Sequence, residues 1–290
     1  MIKLRLKYRR SLMNRSRAGN VMVWIVLIVA GLFMSIPLVY AVVSSLKPFE
    51  EIFIFPPKLY VVNPTLDNYK NLFSLSEDLV VPFSRYLFNS FLIAVGTTVL
   101  QIVFASMAAY PLAKGNFPGK NVIFNTIVFS LMFVSQVTFL PQYIIMAKMN
   151  LLNTYWSLLL PTIGSSMGLF LMKQFMEQIP FAIIESARLD GASEARIVFS
   201  LVFPNVKPAW LTLAIFTFQG MWNTSGSSYI FDEDLKLLPM ALSQITSSNA
   251  TARMGVGMAT TVILMIPPIL FFILSQSNVV KTMAFAGIKE

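Results

Sequence analysis

The chain has 290 residues, 56% of them hydrophobic and 12% charged, where soluble globular domains average roughly 45–50% apolar and about 25% charged. It has no Cys and no His, which excludes disulfide frameworks, cysteine-ligated metal centres and histidine general-base chemistry. A mean hydropathy of +0.69 assigns the chain to a membrane, and the net charge of +9 then reads as a topology signal and not as a nucleic-acid footprint.

Six long windows, each of 24 residues or more, carry no Asp, Glu, Lys or Arg: 18–46, 86–113, 121–147, 149–172, 208–231 and 254–280. Each is long enough for a helix that crosses the hydrocarbon core, which takes about 20 apolar residues. None alternates polar and apolar residues as a membrane barrel strand does. The predicted class is therefore all-α, a polytopic membrane protein with six transmembrane helices. The basic segment from Lys3 to Arg17 resembles the n-region of a signal peptide. The apolar run Val21 to Val43 is longer than the about 7–15 residues of a signal core, so it reads as a retained first helix with Pro37 kinking it. Segment 237–252, rich in Ser, Thr, Asn and Gln, reads as a loop.

Orientation follows from the positive-inside rule. With the N-terminus in the cytoplasm, the inside segments hold 15 of the 22 basic residues and 5 of the 13 acidic ones. Both termini are then cytoplasmic, and the basic N-terminus also suits anionic membrane lipid. The chain divides into a basic cytoplasmic N-terminus (1–20), helix one (21–46), an external loop (47–85), a core of helices two to six (86–280) and a cytoplasmic tail (281–290).

No helix carries an ionisable residue at its centre, which disfavours proton- or ion-coupled transport. Uncharged polar residues are present: Asn89, Ser90 and Gln101 in helix two, and Asn125, Ser135, Gln136 and Gln142 in or near helix three. Such side chains hydrogen-bond between helices, worth roughly 0.5–2 kcal/mol each, or line a path for a polar solute such as a sugar. No phosphate-binding G-x-x-x-x-G-K-[ST] run exists, so ATP-driven transport would need a separate ATPase. No metal or cofactor site and no catalytic residue is indicated, and the chain reads as a non-enzyme.

The cytoplasmic segment 177–205 between helices four and five is the most informative. Pro180 suits the first turn of a helix over 181–189 with Ile184 and Ala187 on one side. Asp190-Gly191 ends it, because Gly accepts the left-handed geometry of a C-terminal stop. Ser193 caps a second helix, with Glu194 in its first turn. Pro204 and Pro208 mark re-entry into helix five. The result is a helix–turn–helix that serves either as a docking knob for a soluble partner or as an amphipathic hairpin on the membrane surface.

Here a family resemblance appears. Glu185-Ser186-Ala187, Asp190-Gly191-Ala192, Ile197 and Phe203-Pro204 are similar to the EAA loop of inner-membrane permeases of binding-protein-dependent ABC importers, with Ser186 for the usual Ala and Phe203 for the usual Leu. Ser45-Leu46-Lys47-Pro48, Pro56-Pro57, Asn68-Tyr69 and Leu72-Phe73 resemble the first external loop of the maltose-type second permease branch. Asn89-Ser90, Trp222-Asn223 and the tail from Gln276 to Lys289 do so as well. The segment 224–257 departs from that pattern.

The resemblance implies a type-1 importer permease core in a bacterial cell (inner) membrane. The chain would form half of the translocation path for a carbohydrate, an oligosaccharide in particular. It implies a second homologous permease in a heterodimer, two ATPase subunits and an extracytoplasmic sugar-binding protein. Glu185, Ser186, Ala187, Asp190, Gly191 and Ala192 would dock the ATPase; no substrate-binding residue is assigned. The competing reading is a stand-alone secondary carrier or channel for a polar solute. Such a carrier purifies alone, whereas a permease purifies with an ATPase.

Overall fold

A computed structural model describes residues 17–77, 81–226, 228–247 and 253–286. The basic run Lys3 to Arg15 and Lys289 of the tail lie outside the described residues. Within them the chain is helix and loop without strand, as the charge-free windows require.

In chain order the helices are α1 (Arg17–Ser45), α2 (Phe49–Ile52), α3 (Asp67–Glu77), α4 (Phe83–Lys114), α5 (Lys120–Ser130), α6 (Ser135–Lys148), α7 (Trp156–Ile163) and α8 (Ser166–Glu177). Then come α9 (Phe181–Leu189), α10 (Glu194–Arg196), a π-helical turn (Ile197–Val202), α11 (Phe203–Asn205), α12 (Lys207–Trp222), a 3₁₀ turn (Glu233–Leu235), α13 (Leu238–Ser247) and α14 (Met254–Ala286). Three long apolar helices are unbroken over Gly19–Ser45, Phe83–Lys114 and Met254–Gln276. Window 208–231 holds the single helix α12, which ends at Trp222, and the other two are divided. α5 and α6 meet at 110°, where Leu131, Met132 and Phe133 tighten into i→i−3 bonds and Val134 turns extended. No Gly or Pro marks that bend. Window 149–172 becomes α7 and α8, split at Gly164–Ser165.

α4 is the axis of the bundle and packs against α12, α8 and α7. Contacts at its two ends fix the direction of everything else. At its C-terminal end, Lys114 Nζ donates to Glu177 O (2.9 Å) and Ile179 O (2.5 Å), so α8 finishes there. Lys120 Nζ reaches Gly115 O at 3.0 Å, so α5 starts there. At its N-terminal end, Asn89 and Ser90 bond to the segment 234–238. On the same side Leu158 of α7 packs with Ile230 and Leu237. α5–α6, α7–α8 and α12 each run from one end to the other.

α1 and α14 complete the set. Asn68 Nδ2 donates to Ser45 O (2.9 Å) and Lys47 O (2.8 Å). A Cβ on Gly255 would lie 2.2 Å from Asn68 Oδ1, so only Gly allows this approach. The C-terminal end of α1 and the N-terminal end of α14 therefore share the end holding α3 and α13. The six windows become six traverses of alternating direction, so α1 begins and α14 finishes toward the end of the bundle that holds 177–205. α1 leans on α14 and leaves most of its apolar surface, Val21 to Val39, exposed, as a helix in lipid does.

One expectation fails. Residues 238–247, read as loop, form α13, because Leu238, Ala241, Leu242 and Ile245 recur at helical spacing and are buried. The polar residues lie between them, on the other face.

Candidate functional site

The segment 177–205 folds as its residues dictate. Pro180 is the N-cap of α9, and the helix runs over the expected span because Pro180 has no N–H to lose there. Its end is a Schellman closure: Ala192 N donates to Ala187 O (3.0 Å) and Gly191 N to Arg188 O (3.0 Å). Gly191 has φ +79°, the left-handed region that side chains resist. Ser193 Oγ then accepts from Arg196 N at 3.3 Å, capping α10. Pro204 cannot donate to the carbonyl four residues back, and the preceding turn widens to the π form.

The knob is bolted to the bundle from inside. Ile184 (0% exposed), Ile197, Val198 and Val202 pack with Ala105, Ala109 and Tyr110 of α4 and with Met172 and Met176 of α8. Ala187 and Ala192 lean on this cluster. Of the six residues singled out in the sequence, these two face inward. Glu185, Ser186, Asp190 and Gly191 face outward. Ser186 Oγ returns to Ala182 O, whereas Glu185 has no hydrogen bond or ion pair within the described residues. Phe181, Ile183 and Leu189, the last 85% exposed, flank it. A cleft of about 360 Å³ runs beside them, lined by Ala187, Asp190, Ala192, Arg196, Ser200 and Leu201.

A polar clamp that sequence reading missed locks the two short helices together. Arg188 Nε donates to Glu194 Oε1 (2.7 Å) and its Nη2 to Oε2 (3.3 Å), while Tyr110 OH donates to Oε2 (2.8 Å). The bonds from Arg188, and then from Tyr110, hold the Glu194 carboxyl below its usual range, and Glu194 raises Arg188 in turn. Tyr110 belongs to α4, 84 positions away, so nothing local announces it. Beneath the knob, Lys173 pairs with Glu177 (2.7 Å) and sits 3.7 Å above the Phe124 ring.

The other polar candidates separate. Asn89 Nδ2 donates to Asp234 O (2.8 Å) and Lys236 O (3.0 Å), and Ser90 Oγ accepts from Leu238 N (2.7 Å). Gln101 accepts the Thr217 hydroxyl inside the bundle. Asn125, Ser135 and Gln136 are exposed, and Gln142 is half-buried. The residues of the first external loop converge: Ser45 Oγ lies 2.8 Å from Tyr69 OH, and Lys47 Nζ donates to Lys58 O.

Residues 101–285, which span this knob and its mounting, match the family described as binding-protein-dependent transport system inner membrane component. The chain belongs to that family. It is a multi-pass inner-membrane permease of a binding-protein-dependent importer, and not itself an enzyme. The permease is 29% identical to protein LplC of Bacillus subtilis (strain 168), over 96% of this chain and 98% of that relative. It is 24% identical to the polygalacturonan/rhamnogalacturonan transport system permease protein YtcP of the same organism, over 95% and 99%. A crystal structure of a bacterial ABC transporter involved in the import of the acidic polysaccharide alginate contains a chain of the same fold, with TM-score 0.73, 21% identity, and 91% and 98% coverage. Membership of the family decides against the stand-alone carrier.

Proposed function

We propose that the chain is one half of the translocation path for a carbohydrate, an oligosaccharide in particular, handed over by an extracytoplasmic binding protein, and that α9 docks an ATPase. A second homologous permease and two ATPase subunits complete the importer. The core comprises residues 86–280, and α1 is a peripheral addition that touches the core mainly through α14. YtcP, similar along nearly the whole chain, carries a polysaccharide name, which supports the carbohydrate class.

The observation that carries the docking role is the outward Glu185, unpartnered among the described residues, on a helix whose opposite side is packed into α4 and α8. A carboxylate left free on a rigid mount, ringed by exposed Phe181, Ile183 and Leu189, suits a basic and apolar cleft on a partner. Ser186, Asp190 and Gly191 border the same outward surface, and Ala187 and Ala192 hold it in place. Motion of the ATPase pair then passes through a stiff contact to α4 and α12.

The test is co-purification and activity. The intact importer should bring ATPase with this chain and hydrolyse ATP faster when the sugar-loaded binding protein is added. Glu185→Ala should leave membrane insertion intact but weaken ATPase attachment by roughly 2–5 kcal/mol where the contact is desolvated. Normal transport by both Glu185→Ala and Gly191→Leu would refute the docking role.

A further inference from the structure

A second site lies at mid-depth of the bundle. Gln101 stands near the centre of α4 and is 3% exposed. Its Oε1 accepts the Thr217 hydroxyl from α12, but its Nε2 donates to nothing among the described residues. That amide nitrogen lies 2.9 Å from where a Cβ on Gly168 would stand, so the glycine in the first turn of α8 makes room for it. Gln101 borders a cavity of about 180 Å³, with Thr162, Ser165, Thr217, Phe216 and Gly220 around it. The cavity opens at the face of α12, where Phe216 is 58% exposed and Gly220 is uncovered.

Two features offer donors here. Gln101 lines the cavity, and its amide nitrogen, without a partner among the described residues, can donate to an oxygen that occupies it. The split at Gly164–Ser165 also starts α8 at this cavity, and Ser165 gives the first N–H groups of α8 no side-chain cap. The hydroxyls of Thr217 and Thr162 already donate, to Gln101 Oε1 and to Leu158 O, and keep lone pairs that can accept, while that of Ser165 can donate or accept. An aromatic ring beside unmet amide donors matches the paired demands of a sugar, whose oxygens accept hydrogen bonds and whose C–H faces pack on rings.

We propose that Gln101, with Thr162, Ser165, Thr217 and Phe216, forms a subsite that holds a carbohydrate hydroxyl during translocation and sets specificity from this half of the path. This rests on the reading of the chain as a carbohydrate importer permease. The hydroxyl oxygen accepts from Gln101 Nε2, and no covalent step is involved.

The experiment uses the complete importer in proteoliposomes, with oligosaccharide uptake and ATP hydrolysis measured together. Gln101→Leu removes the donors. Gly220→Leu fills the cavity from a helical position where an added Cβ meets nothing within 4 Å, so it folds even if the first variant does not. Either variant should lower uptake per ATP at least about tenfold, since an unpaired polar contact discriminates strongly, while stimulation of ATP hydrolysis by the loaded binding protein stays within about twofold of normal. Uptake per ATP unchanged in both variants overturns the subsite. So does loss of the second permease from Gln101→Leu with normal uptake in Gly220→Leu, which makes Gln101 an interface residue. If the unaltered importer neither takes up carbohydrate nor responds to it, the carbohydrate reading itself falls, and the subsite with it.

Discussion

Gly191 and Glu194 stabilise the knob by different physics. Gly191 is needed for its backbone alone: φ is +79°, yet a Cβ there would meet no atom within 4 Å. Gly191→Ala should therefore cost about 1 kcal/mol through strain, whereas Gly191→Leu adds bulk on the outward face. Stimulated ATP hydrolysis should fall modestly for Ala and severely for Leu; equal activity of the two would show that bulk at this face does not matter. Glu194 works through charge. Its carboxyl is held below the ordinary value of 4.5, so its contribution is present above about pH 4.5 and is lost as pH falls through the lower folded value. Protection from hydrogen exchange over 186–197, taken relative to the intrinsic rate at each pH, should fall as the medium is acidified, and Glu194→Gln should remove that acid-dependent loss. Ser193, Gly191 and the span of α9 were legible because caps and left-handed stops are local chemistry. The partnership of Glu194 with Tyr110 was not, because the two meet only after α4 and α10 have packed.

Elements show the same division between local and distant causes. α4 and α14 are written as long charge-free runs, and the structure keeps them whole. The bend between α5 and α6 has no composition marker, and α13 was hidden by its polar residues, although its apolar residues at 238, 241, 242 and 245 carry helical spacing. The external segments are held by α4 itself. Asn89 reaches two carbonyls of the 234–236 stretch, and Ser90 receives the N–H of Leu238 at the start of α13. Asn89→Ala leaves the buried Lys236 carbonyl without its side-chain donor and the Asp234 carbonyl with only the longer bond from Arg85 Nε (3.4 Å), and should destabilise the fold by roughly 1–3 kcal/mol. The expected readout is a lower thermal midpoint in detergent with faster hydrogen exchange across 232–242. An unchanged midpoint would mean that this contact contributes nothing to the stability of the fold.

For the whole molecule, the charge bias and the packing lead independently to one topology. Basic residues collect on the side of 177–205, and the packing brings α1's start and α14's finish to that end. The least obvious traverse is α7–α8, whose helices have only 8 and 12 residues. Neither spans a bilayer alone, since about 20 residues are needed. Joined end to end they run from the Ile230–Leu237 contact to Lys114, which is a full crossing. If that pair did not cross, every segment after it would change sides. The chain has no native Cys, so single cysteines report cleanly. Leu59→Cys, at an exposed position, should react with a membrane-impermeant thiol reagent from outside. Ala195→Cys, exposed beside Glu194, should react only after the inner face is opened and only when no ATPase covers it. Labelling of both from outside would reduce six crossings to five and place the knob where no ATPase can reach it.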